Sequence, residues 1–262
     1  MANLSAQVAV VTGGESGIGL GIAEQLAAAG TYVVIGGILP DAGREAIAKI
    51  KAAGGKSEFH AIDVREANEV EELVAAAEKN FDRLDIMVNN AGVFDGFTSV
   101  LETSEALWDK VIDINLKGCF LGSRAALRVM LPRGTGKIIN VSSVGGLRGG
   151  ADGASYTASK FAIIGLTRQM ACTYAEKGIA VNAICPGVIQ TNIRANSARI
   201  LGVDAPAMAG IGVDPDGYKR LVPARRRGLP QEVGDLAVYL ASDQSGYIHG
   251  QAIAIDGGWT AT

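Results

Sequence analysis

Histidine is nearly absent. Only His60 and His249 occur in 262 residues, so a histidine-based catalytic triad or a zinc site has little to draw on. No metal is expected. Cysteine is almost as rare: Cys119, Cys172 and Cys185 are odd in number, widely spaced, and form no metal or redox pattern. Each sits in an apolar stretch where a free thiol acts as a small hydrophobe, and a reducing cytoplasm fits that usage. No apolar run approaches the length of a membrane span, and Met1-Ala2-Asn3-Leu4-Ser5 lacks the basic start of a signal peptide. Excess charge is also missing. A formal net charge of −3 gives no electrostatic case for nucleic acid or an anionic membrane as a partner.

What is present points to a globular α/β protein, with 48% hydrophobic and 19% charged residues. Short apolar runs at 8–12, 32–36, 57–62, 86–89, 136–141, 179–184 and 251–255 read as strands. Helical patterns at 18–29, 41–53, 67–80, 104–130, 156–176 and 231–241 fill the gaps. Uninterrupted strands such as Val8-Ala9-Val10-Val11 suit a parallel sheet covered on both faces. The alternation predicts right-handed βαβ units in a doubly wound, three-layer αβα sandwich of about seven strands. No linker or repeat divides the chain, so one domain over residues 1–262 is expected. The stretch between Gly187 and Gly228 breaks the rhythm: no strand is evident, it reads as a structureless insertion, and the segment 188–229 follows a strand's C-terminal end. Such a segment predicts a substrate-binding lid.

Two local patterns carry chemistry. Thr12-Gly13-Gly14-Glu15-Ser16-Gly17-Ile18-Gly19 joins the first strand to the first helix. Glycines there permit close backbone approach, and the helix N-terminus offers N–H groups and positive dipole to a pyrophosphate. Tyr156 and Lys160 stand four apart on a predicted helix, so phenol and ammonium share one face. An ammonium beside a phenol favours the phenolate, which suits proton exchange with an alcohol or carbonyl oxygen.

The chain resembles the short-chain dehydrogenase/reductase family over nearly its whole length. The matching pieces are the glycine loop, Asp63-Val64, Asn89-Asn90-Ala91-Gly92, Asn115, Ser143, Tyr156 with Lys160, Pro186-Gly187 with Thr191, and Asp256-Gly257-Gly258. The resemblance implies a Rossmann-type fold and an NAD(P)-dependent oxidoreductase that interconverts a secondary alcohol and a ketone. Tyr156 is then the general acid or base, with Lys160 supporting it and binding the nicotinamide ribose. Ser143 holds the substrate oxygen, and Asn115 holds a water linking Lys160 to solvent. The cofactor contacts implied are Gly13, Ser16, Gly17, Ile18, Gly19, Gly37, Asp63, Val64, Asn90, Ala91, Gly92, Tyr156, Lys160, Pro186, Gly187, Val188 and Thr191. A homotetramer paired through 104–130 and 156–176 is implied, with Trp259 near a second interface.

One departure stands out. The end of the second strand, where an acid would meet the adenosine ribose, reads Gly36-Gly37-Ile38-Leu39-Pro40. It holds no carboxylate and no base for a 2′-phosphate; Asp41, the nearest acid, is expected to be a helix N-cap. Glu15 would repel an extra phosphate, so NAD is favoured over NADP. Residues 188–229 carry seven basic and three acidic side chains, which allows an anionic substrate or a subunit contact. A 3-oxoacyl-carrier-protein reductase and a non-catalytic dinucleotide sensor remain as alternatives.

Overall fold

The computed structural model describes residues 4–210, 214 and 216–261. Met1, Ala2 and Asn3, four positions of the expected lid (211–213 and 215) and Thr262 lie outside the described residues.

Among the described residues, seven strands form one parallel sheet: β1 (Val8–Thr12), β2 (Tyr32–Gly37), β3 (Lys56–Ala61), β4 (Ile86–Asn89), β5 (Gly136–Val141), β6 (Ile179–Pro186) and β7 (Ala252–Ile255). Their order is β3-β2-β1-β4-β5-β6-β7. From β3 the chain crosses to β4 on the other side of β1, which places a switch point between β1 and β4. Thr12 sits level with Gly36 on one side and with Asn89 on the other, so three strand ends open at one crevice.

The helices are α1 (Gly17–Ala28), α2 (Pro40–Ala52), α3 (Ala67–Phe81), α4 (Glu105–Ile112), α5 (Gly118–Arg133), α6 (Ala154–Tyr174), α7 (Ile193–Leu201), α8 (Tyr218–Leu221) and α9 (Pro230–Ala241). Two apolar clusters cover the sheet. One buries Val10, Val34, Leu73, Val111 and Met130, the other Val11, Ile22, Ile35, Leu26 and Val233. A strand whose successive side chains enter opposite clusters must be apolar throughout, which explains the unbroken β1. Small residues let α1 and α9 meet closely: a Cβ on Gly21 would overlap Pro230.

Three expectations need correction. The pattern at 104–130 is not one regular helix, because a π-turn at Asp113–Lys117 separates α4 from α5. Residues 188–229 contain α7, whose Ile193, Ser197 and Leu201 recur at helical spacing, and α8. Asp41 is not the N-cap of α2: Leu39 holds that place, Pro40 begins the helix, and Asp41 lies in its first turn paired with Arg44. Cys119 and Cys185 are buried as the hydrophobe reading predicts, but Cys172 is exposed.

Candidate active site

One cavity of about 460 Å³ runs across the switch point. The β1–α1 loop, the ends of β2, β4, β5 and β6, the start of α6 and the segment after β6 all reach it.

At one end the glycine loop is fixed by its neighbours. Gly13 adopts φ of +63°, and a Cβ there would press on the Ala91 backbone, so only glycine suits both demands. Asn90 donates to the carbonyls of Thr12 and Gly13 at 3.0 Å each, while the Thr12 hydroxyl accepts from the Asn90 and Ala91 amides. Ser16 is the N-cap of α1, and its hydroxyl accepts from Asn196 of α7 at 3.1 Å. The opening turn of α1 therefore faces the cavity with free amides. Arg65 claims the Asp63 carboxylate; burial raises the Asp63 pKa, but the Arg65 hydrogen bonds reverse this and leave it lowered.

The other end is built around α6. Asp95, fully buried after β4, accepts from the Tyr156 amide at 2.9 Å and the Ser155 hydroxyl at 3.0 Å, pinning the first turn of α6. Ser142 donates to the Lys160 carbonyl at 2.8 Å. Ser143, two residues past β5, caps the short turn Val144–Gly146, accepts from the Gly145 amide at 3.0 Å and donates to Asp152 at 3.4 Å. Phe94 meets the Tyr156 ring edge-on at 5.4 Å, and the Arg194 guanidinium lies 5.1 Å from the Phe94 ring centre.

The charge balance differs from the sequence expectation. Lys160 Nζ donates to the Val141 carbonyl at 2.9 Å and lies 5.3 Å from the Tyr156 ring centre. Burial pulls the Lys160 pKa down to about 8. Burial also pushes the Tyr156 phenol well above its usual range, with Asp152 and Asp95 adding to the rise and Ser143 opposing it. A lysine on the same face does not by itself make a phenolate when both groups are buried beside two carboxylates. Asp152 is itself raised to about 6, by burial and by Asp95.

The structure brings Ser143, Tyr156 and Lys160 to the cavity, together with Gly13, Ser16, Gly17, Ile18, Gly37, Asp63, Val64, Asn90, Ala91, Gly92, Pro186, Gly187, Val188 and Thr191. Two expected residues stand behind it. Gly19 packs inside the first turn, where a Cβ would strike the Gly13 carbonyl. Asn115, carried inward by the π-turn, donates to the Val93 carbonyl and to Ser159, and accepts from the Val93 amide at 2.8 Å. Both of its amide hydrogens are spent on structure. A Cβ on Gly92 would lie 3.2 Å from Asn115 Oδ1 and 3.5 Å from Lys160 Nζ, so both face the same glycine.

Asp95 and Asp152 were not foreseen, because loops 57 residues apart bring them together. Trp259, expected near an interface, lines the cavity. Part of the basic character of 188–229 is answered locally: Lys219 pairs with Asp216, Arg220 with Asp214 and Arg226 with Glu232 just beyond the segment, and Arg225 donates to the Lys219 carbonyl. Arg194 and Arg199 line the cavity. Among the described residues, no cluster of three or more His, Cys, Asp or Glu side chains could hold a metal ion, and no helix is long and apolar enough to cross a membrane.

A parallel sheet with a glycine loop at its switch point and a Ser-Tyr-Lys set at the facing strand ends defines a dinucleotide-dependent oxidoreductase. The orphaned buried oxygen of Glu15 and the cradle at Gly13 fit such a group. Comparison with known proteins agrees. A family model described as enoyl-(acyl carrier protein) reductase matches residues 13–260. The chain is 40% identical to 3beta-hydroxysteroid dehydrogenase 2 of Eggerthella lenta, over 98% of this chain and 96% of that protein. It is 38% identical to 2-dehydro-3-deoxy-D-gluconate 5-dehydrogenase of Dickeya dadantii, over 99% and 97%. A solved structure from Beutenbergia cavernae, a candidate NAD(P)-dependent gluconate 5-dehydrogenase with bound NADP at low occupancy, superposes with a TM-score of 0.86 at 35% identity and 99% coverage of each chain. The chain belongs to the short-chain dehydrogenase/reductase family of NAD(P)-dependent oxidoreductases.

Proposed function

We propose that Tyr156 exchanges the hydroxyl proton as this enzyme interconverts a secondary alcohol and a ketone. The observation that carries the reading is the placement of Ser143, Tyr156 and Lys160 on one cavity wall, on two elements pinned to each other. When bound, a nicotinamide dinucleotide takes or gives the hydride. Ser143 holds the substrate oxygen beside the phenol, which fixes the reacting atoms for transfer. Lys160 supplies positive charge near the phenolate as it forms. Asn115 positions the Val93 backbone and Ser159, and with Lys160 it marks the inner end of a proton path. The glycine loop, Asp63-Val64, Asn90 to Gly92 and Pro186 to Thr191 bind the dinucleotide. NAD is the preferred form, because the stretch Gly36-Gly37-Ile38-Leu39-Pro40 carries no base for a 2′-phosphate.

Residues 188–229 act as the substrate lid of a single domain. Support comes from their pinned ends, where Gly228 donates to the Val188 carbonyl and Gln190 to that of Gly228, and from α7 standing over the cavity. The substrate is a small molecule that meets Phe94 and Ala151 on its apolar side and Asp152 and Arg194 on its polar side. A carrier-bound 3-oxoacyl group is the second reading, supported by 36% identity to a 3-oxoacyl-[acyl-carrier-protein] reductase of Synechocystis sp. over 98% of each chain. Exposed Phe120 on α5 and Phe161 on α6 support a homotetramer paired through those helices. Free cysteines support a reducing cytoplasm.

Replacing Tyr156 by Phe tests the reading. Turnover of secondary alcohols should collapse while dinucleotide binding persists; undiminished turnover would remove Tyr156 as the proton-exchanging group.

A further inference from the structure

We propose that Glu15 replaces the missing acid at the end of β2: its carboxylate receives the adenosine ribose hydroxyls of NAD and shuts out a 2′-phosphate. The inference rests on the dinucleotide reading above and concerns which residue of this chain reads the ribose.

Three observations carry it. First, Glu15 and Gly37 share one volume. A Cβ built on Gly37 would fall onto the Glu15 carboxylate, overlapping Cδ and both oxygens. Glycine at 37 therefore does not leave the subsite bare. It makes room for an acid that arrives from the β1–α1 loop, because Thr12 and Gly36 are neighbours in register.

Second, the carboxylate is built in yet unfinished. Glu15 is only 6% exposed and lines the cavity, but its Oε2 has no hydrogen-bond partner. Buried carboxylate oxygens are costly without donors, and a vicinal diol offers two O–H donors to one carboxylate.

Third, the carboxylate has donors of its own, although burial leaves its pKa raised on balance. Backbone N–H groups of Glu15, Ile38 and Leu39 lie against the carboxylate and, with Arg199 of α7, oppose the rise that burial imposes on its pKa. A 2′-phosphate would enter against this carboxyl group and compete for the same donors.

A purely structural Glu15, tying the β1–α1 loop to the β2–α2 loop, is the rival. It predicts lost thermal stability without any change in dinucleotide preference. The ratio of two affinities separates the cases.

Calorimetric titration of the purified protein with NAD⁺ and with NADP⁺, without alcohol substrate, is the test. The natural chain should bind NAD⁺ at least about tenfold more tightly than NADP⁺, the loss expected when a ligand forfeits charge-assisted hydrogen bonds. Glu15→Gln should shift the Kd ratio about tenfold or more towards NADP⁺. The double change Glu15→Ala with Gly37→Asp, which returns the acid to β2, should restore the preference for NAD⁺ to within about threefold of the natural value.

An unchanged ratio in Glu15→Gln, with melting confirming a folded protein, overturns the proposal. So does a natural chain that binds NADP⁺ as tightly as NAD⁺, a result independent of whether any variant folds. If the natural chain binds neither, the dinucleotide reading falls as well. If it binds NAD⁺ with the stated preference and the variants respond, Glu15 keeps its role even should no alcohol prove to be a substrate.

Discussion

The two ends of the cavity handle buried charge in opposite ways. Around Tyr156, the polar groups answer one another: Asp95 holds the start of α6, Ser142 and Val141 hold Lys160, and Ser143 meets Asp152. Around Glu15, one buried carboxylate oxygen is left without a partner. The first arrangement holds proton-exchanging groups at fixed positions and shifts their pKa values. The second stores an acceptor for a ligand to complete. A satisfied network suits chemistry, and an unsatisfied atom suits recognition.

Breaking the catalytic end should be the most damaging. Tyr156→Phe is expected to lower kcat about 1,000-fold, within the usual range for loss of a general acid or base, and to leave the Kd for dinucleotide within about twofold. Asn115→Ala comes next, since it strips partners from the buried Val93 backbone and Ser159. A loss of about 2 kcal/mol is expected, read in denaturant melts as an earlier midpoint with unchanged slope.

At the adenosine end, Gly37→Ala adds one methyl group where the Glu15 carboxylate lies. Displacing that carboxylate should weaken NAD⁺ binding about tenfold, with kcat at saturating cofactor little changed. Wild-type affinity in this variant would mean that Glu15 can yield without cost. Arg194→Gln probes the substrate side, where a few-fold higher KM for an acidic substrate at constant kcat is expected. An unmoved KM would remove the anionic-substrate option.

The smallest effect concerns pH. Asp152 is raised to about 6 in the folded chain, so the fold binds its proton more tightly than the unfolded chain does. That contribution to stability is full below the ordinary aspartate pKa and is lost as pH rises through about 6. Asp152→Asn should therefore flatten the fall in unfolding free energy between about pH 5 and pH 7.5, by roughly 1 kcal/mol or less, as read in denaturant melts. Removing the charge should also lower the alkaline pKa of turnover, because Asp152 pushes the Tyr156 phenol upward.

Much of this was legible in the sequence, for reasons that differ by region. The sheet could be read because β1, β4 and β6 are largely apolar runs between turn-rich segments. Tyr156 and Lys160 could be read because one helix carries both, and spacing along a helix maps directly onto space. The π-turn around Asn115 left no such trace, since its residues suit a regular helix equally well. Helix α7 did have a signal, Ile193 and Leu201 eight apart, but the Pro- and Gly-bearing residues that follow obscured it. In the sequence Glu15 is only a loop charge and Gly37 only a gap, because neighbours along the chain do not show that two elements fill one volume.

The measurement that bears most directly on the division between chemistry and recognition is a paired experiment on Tyr156→Phe: titration with NAD⁺ and NADP⁺, then turnover under saturation. The expected result is natural affinity with NAD⁺ preferred, alongside a turnover reduced about 1,000-fold. Binding and turnover falling together, or turnover surviving, would contradict the assignment of proton chemistry to Tyr156 at an end of the cavity separate from the one that reads the cofactor.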